Sequence, residues 1–236
     1  MERVLNQLVE KLKKAFDDRL LSVVLYGSAA VGDYHGRFSD INVLCVLREL
    51  GPRELADSAP VVRWWRELGN PSPLMLTAEE VKNSTDCFPI EFHDIVERHR
   101  VLYGPDLMAG LEVDDTFYRA QVEHELRAKL LRLRQKAAGV MRDKDLLRTL
   151  LADSLPTFCT LFRHALRLAG HQAPLEKRGV LLTVREKLGV DTAPLERILD
   201  LREGKIRARQ LDPASVFERY LSAIQSVVAV VDRLPK

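Results

Sequence analysis

Apolar positions along the chain fall into two regimes. Up to about residue 104, helical spacing alternates with short runs suited to strands; beyond about residue 112 only helical spacing persists. Val4, Leu5, Leu8, Leu12, Ala15 and Phe16 recur at helical steps, so the spacing predicts an amphipathic helix over 2–18. Residues 20–26 form an apolar run of strand length, broken only by Ser22, that stops at Gly27-Ser28. A polar turn containing Gly32 and Gly36 leads to a second strand ending at Leu47, in which Asp40 and Asn42 stand two apart and share a face. A helix is expected over 52–68, carrying Trp64-Trp65 near its end, where a core position competes with base stacking. The cluster Gly69-Asn70-Pro71-Ser72-Pro73 is a turn, 74–76 a third strand, and Thr77-Ala78-Glu79-Glu80 has the form of a capping box that starts a short helix. Residues 88–95 read as a fourth strand with Pro89 near its start, and 102–106 closes this half.

In the second half, Phe117, Val122, Leu126, Leu130, Leu133, Ala137 and Val140 step along one helical face. A second helix carries Leu147, Leu151, Leu155, Phe158, Phe162, Ala165 and Leu168, with Pro156 inside it, where a kink is expected, and a Gly170 stop. A third is stopped by Gly189, a short fourth holds Leu195 and Ile198, and Asp212-Pro213 opens a final helix as cap and first-turn residue. The fold class expected is therefore α+β: a small mixed-sheet domain over 1–112, then an all-α helical bundle over 113–236.

Composition narrows the function classes. With 46% apolar and 30% charged residues, the chain has the usage of a globular protein with a sizeable core. A net charge of +2 gives no broad basic field for nucleic acid. Cys45, Cys87 and Cys159 are odd in number and widely spaced, fitting neither a zinc site nor a disulfide framework, so a reducing cytoplasm is the expected setting. The N-terminus lacks the form of a secretory signal, and no apolar run approaches the roughly 20 residues of a bilayer span, so no membrane role is expected. There is no GxxxxGK[ST] loop and no dinucleotide fingerprint, which removes the P-loop kinases and the dehydrogenases.

The chemistry-bearing residues gather around the first two strands. A Gly-Ser corner after a buried strand bends freely and exposes backbone N–H groups suited to phosphate oxygens. Gly27, Ser28, Gly32, Ser39 and Asp40 together resemble the nucleotidyltransferase superfamily, typified by DNA polymerase beta and the aminoglycoside nucleotidyltransferases. Its signature is Gly-Ser, a short gap, Asp-x-Asp on the next strand, and a third carboxylate later. Here the second Asp is replaced by Asn42.

The resemblance implies a nucleotidyltransferase domain followed by a helical bundle. Gly27, Ser28 and Ser39 would bind the nucleotide and Asp40, Asn42 and Glu91 the Mg²⁺, with Asp40 and Glu91 catalytic. The partners implied are a nucleoside triphosphate and a hydroxyl acceptor of unknown identity, with a homodimer or a helical protein partner as open alternatives. Alternation along 88–95 offers two third carboxylates. Glu91 shares a face with His93, Asp94 shares one with Ile90 and Phe92, and the polar pair favours Glu91. Asn42 brings no charge to a cation, so a catalytically reduced nucleotide-binding or interaction module, regulatory or of toxin–antitoxin type, stands as the alternative. His93 as a transition-metal ligand is disfavoured by six scattered histidines without paired spacing. The basic groups Arg127, Lys129, Arg132, Arg134 and Lys136, and Lys205, Arg207 and Arg209, read first as solvated faces. Arg167 and His171, with three residues between them, are too close for the Arg–His ribonuclease motif of some bacterial relatives.

Overall fold

The computed structural model describes residues 1–31 and 41–235. These divide into two compact units, Met1–Phe117 and Tyr118–Lys236. The first unit opens with α1 (Glu2–Phe16), a 3₁₀ turn (Asp17–Arg19) and β1 (Leu20–Tyr26). A second 3₁₀ turn (Ser28–Val31), β2 (Asn42–Leu47), α2 (Pro52–Glu67), β3 (Leu74–Thr77), α3 (Ala78–Asn83), α4 (Pro89–Glu97) and β4 (His99–Tyr103) follow. The sheet order is β3-β2-β1-β4, with β1 antiparallel to both neighbours and β2 parallel to β3.

Both faces of the sheet are covered, as its nearly unbroken apolar strands require. Val23, Leu25, Val43, Cys45 and Leu47 pack with Leu5, Leu8, Leu12 and Phe16 of α1 and with Val61 and Trp65 of α2. Val24, Leu44 and Val46 pack against Val81 of α3, Phe92 and Ile95 of α4, and Met108. Trp65 is thus a core residue, and Trp64 lies half-buried with the Lys11 ammonium 4.9 Å from its ring centroid. Arg19 ties the layers together, donating to Glu54 and, at 2.8 Å, to Asp57, both on α2. The Thr77 cap forms in full: the Glu80 amide donates to Thr77 Oγ1 at 3.1 Å, and the Thr77 amide donates to Glu80 Oε2 at 2.7 Å.

The one element of the wrong kind is 88–95, expected as a strand and folded as helix α4. Nine residues with this pattern satisfy both periods: Ile90, Phe92 and Asp94 alternate, while Phe92, Ile95 and Val96 recur at helical steps. Pro89 decides between them, since in the first turn of a helix its missing N–H costs nothing. Phe92 and Ile95 then dock on the sheet, and the fourth strand comes later, at β4.

The second unit is helical throughout: α5 (Tyr118–Val140), α6 (Lys144–Leu168), α7 (Lys177–Leu188), α8 (Ala193–Arg202) and α9 (Pro213–Asp232). Helix α6 runs through Pro156 and packs against the other four. A buried and a partly buried polar pair tie it to its neighbours: Tyr118 Oη lies 2.6 Å from His164 Nδ1, and Ser154 Oγ lies 2.9 Å from Tyr220 Oη. Helix α9 is long and apolar enough to cross a bilayer by composition alone. However, Val216, Phe217, Tyr220, Ala223, Ile224, Val227, Val228 and Val231 form its buried stripe, the pattern of a bundle helix. The Asp212 cap holds the Ser215 amide as the Asp-Pro pair led one to expect.

Burial pushes the Cys45 and Cys159 thiols up to about 12, whereas Cys87 is exposed. Iodoacetamide at about pH 8 is therefore expected to label Cys87 alone in the folded protein, because the buried thiols are neither accessible nor ionised. Intact-mass analysis should show two further labels only in denaturant.

Candidate nucleotide site

The site is built where β1 ends. Gly27 takes φ +76°, which turns the chain away from the sheet, and its amide donates to the Arg98 carbonyl at 3.1 Å. The Ala30 amide donates back to the Gly27 carbonyl at 3.1 Å, closing the 3₁₀ turn that Ser28 begins. Of the residues expected to hold nucleotide or metal, Ser39 and Asp40 lie outside the described residues, as does Gly32 of the motif.

Asn42 opens β2 and is paired with Tyr26 across the antiparallel ladder. Directly opposed residues in such a pair project from the same face, with Cβ atoms about 5 Å apart. Their shared face is that of Val24, Leu44 and Val46, on which α4 lies. A Cβ added to Gly27 would come 3.3 Å from Asn42 Nδ2, so the amide stands directly against the glycine corner.

Glu91 arrives here by a different route from the one its sequence suggests. It sits exposed in the first turn of α4, one residue before the docked Phe92. Burial raises the Tyr26 phenol pKa, and the Glu91 charge raises it further, which sets the carboxylate in the electrostatic reach of Tyr26. The end of the sheet therefore brings together the Gly27 corner, Asn42 and Tyr26, and the Glu91 charge acts on Tyr26. Asp94 is half-buried further along α4. His93 is buried, with Nε2 at 2.5 Å from Asp115 Oδ1, so its ring is engaged by a carboxylate.

Tyr26 is the member the sequence did not disclose. It ends an apolar run with Val24 as its nearest neighbour on that face, and only the pairing with Asn42 exposes its place. Among the described residues no group of three or more His, Cys, Asp or Glu could hold a metal ion. The donors present, the Glu91 carboxylate and the Asn42 amide, carry oxygens of the kind Mg²⁺ prefers. Asn42, however, turns its Nδ2 and not its oxygen to the corner, so the carboxylate is the better donor for a cation. In the helical unit the basic residues of α5 are partly occupied at home: Arg127 pairs with Glu123 at 2.8 Å and Lys129 with Glu125 at 3.1 Å. Lys205 likewise pairs with Glu203 at 2.6 Å.

No family model matches the sequence, and no curated protein does. Among solved structures, the chain is similar to a spectinomycin adenyltransferase from Enterococcus faecialis, solved with ATP and spectinomycin. That likeness covers 99% of both chains, with 14% identity and a TM-score of 0.58. A toxin–antitoxin structure with AMP-PNP aligns with 52% of this chain and 92% of its own, at 17% identity and a TM-score of 0.32, too slight a likeness to define a fold.

Proposed function

We propose that this chain, which has the nucleotidyltransferase fold along its whole length, moves a nucleoside monophosphate from a nucleoside triphosphate to a hydroxyl acceptor. The observation that supports the reading is the close approach of Asn42 to the Gly27 corner, beside Tyr26, on which the Glu91 charge acts. Gly27, Ser28 and Ser39 hold the triphosphate, with the backbone of the corner facing its oxygens. Asp40 holds Mg²⁺, which neutralises charge on the phosphates and is supplied with the nucleotide. Glu91 accepts the proton of the acceptor hydroxyl. The hydroxyl oxygen forms a bond to the α-phosphorus, the bond from that phosphorus to the bridging oxygen breaks, and pyrophosphate leaves. Spectinomycin, the compound found with the full-length structural neighbour, is the first acceptor to assay.

Titration calorimetry with ATP and GTP, with and without Mg²⁺, tests this. Binding at micromolar concentrations that Mg²⁺ strengthens is expected, with that gain lost in Asp40→Ala; binding indifferent to Asp40 overturns it.

Asn42 favours one second reading, a nucleotide-binding module that has lost turnover. A unit charge pair at about 4 Å is worth roughly 4 kcal/mol at an effective dielectric near 20, so a neutral amide weakens any cation site. Under that reading Asn42→Asp creates transfer absent from the wild type; under the enzymatic reading the wild type already turns over.

A further inference from the structure

We infer that Asn42 is a triphosphate-binding residue, its side-chain amide donating to phosphate oxygen, and not a metal ligand. The inference deepens the nucleotide-transfer reading and rests on it. Register and close approach carry it together. Pairing with Tyr26 fixes Asn42 one residue short of the corner, on the sheet face that α4 covers. Its Nδ2 then stands 3.3 Å from where a Gly27 Cβ would be, so the part of the side chain turned to the corner is its donor end.

An amide nitrogen has two hydrogens to give and no lone pair to offer a cation, whereas phosphate oxygens only accept. Bonds from N–H to an ionised oxygen are the stronger kind, roughly twice a neutral pair. Glycine at position 27 leaves the approach open, since any Cβ there would crowd the amide. A carboxylate at position 42 would instead set a negative charge against the triphosphate and would need a cation between them. Asn42 removes that need. The chain can hold the phosphates with one ion fewer than a site with a carboxylate at each position.

The test is ATP binding in EDTA, where no metal can mediate. Asn42→Ala is expected to weaken ATP about tenfold both in EDTA and in Mg²⁺, while AMP, which lacks the outer phosphates, is unaffected. Asn42→Asp keeps the side chain's shape, so a fold defect in the alanine variant does not end the test. It is expected to weaken ATP further in EDTA and to regain affinity as Mg²⁺ is added. Loss confined to Mg²⁺-containing buffer would make Asn42 a metal ligand and overturn this inference alone. Failure of the wild type to bind ATP in either buffer would instead sink the nucleotide reading itself.

Discussion

Glu91→Gln is expected to lower nucleotidyl transfer by roughly 10²- to 10⁴-fold while leaving ATP affinity within about threefold of the wild type. The amide keeps the shape of the side chain and its place in the first turn of α4, but it cannot accept the acceptor's proton. A carboxylate that is open to solvent and whose charge acts on Tyr26, the residue paired with Asn42, suits that task. Asp94→Asn provides the contrast, with a rate expected within about tenfold of the wild type. The assay is pyrophosphate release in the presence of whichever hydroxyl compound supports turnover. If Asp94→Asn proves the silent variant and Glu91→Gln the active one, the two carboxylates have been assigned the wrong way round.

Gly104→Ala is the change expected to damage the fold most, by about 3 kcal/mol or more. Gly104 closes β4 with φ +77°, and a Cβ there would lie 2.0 Å from the Leu21 carbonyl oxygen and 3.1 Å from Ser22 Cα. Neither neighbour is a flexible side chain; both belong to the backbone of β1 at the centre of the sheet. Ser22 Oγ also sits 3.2 Å from the Tyr103 carbonyl and 2.9 Å from that of Pro105, a staple that depends on the same close approach. Separating the strands would strip both contacts and open the Val24 face. Trp64 and Trp65 are the chain's two tryptophans and both lie in the first unit, so urea unfolding followed by their fluorescence reads that unit. An unchanged midpoint would mean that the strand ends yield more easily than their packing implies.

How much of this was legible beforehand depended on the range of the forces involved. Strand β1 and the caps at Thr77 and Asp212 were plain in the sequence because each is decided by neighbouring residues. Helix α4 was misread because its short apolar run fits two periods, and the choice fell to Pro89 and to docking on distant strands. Glu91 was singled out by an argument about strand faces that does not apply to a helix, although from α4 its charge still acts on Tyr26. The closeness of Asn42 to Gly27 is a consequence of register, which no local pattern states. The Arg19 tie to Glu54 was equally hidden, since 35 residues separate the partners.

Central strand β1 pairs with β2 soon after it in the chain, but its other neighbour, β4, ends only at Tyr103. At ordinary translation speeds, about 4 to 15 seconds pass between the emergence of Tyr26 and that of Tyr103 from the ribosome. Through that interval the nascent chain carries one bare edge of its most apolar strand. Slowing elongation within this window would prolong the exposure, and a chaperone that grips extended apolar segments would find its foothold there.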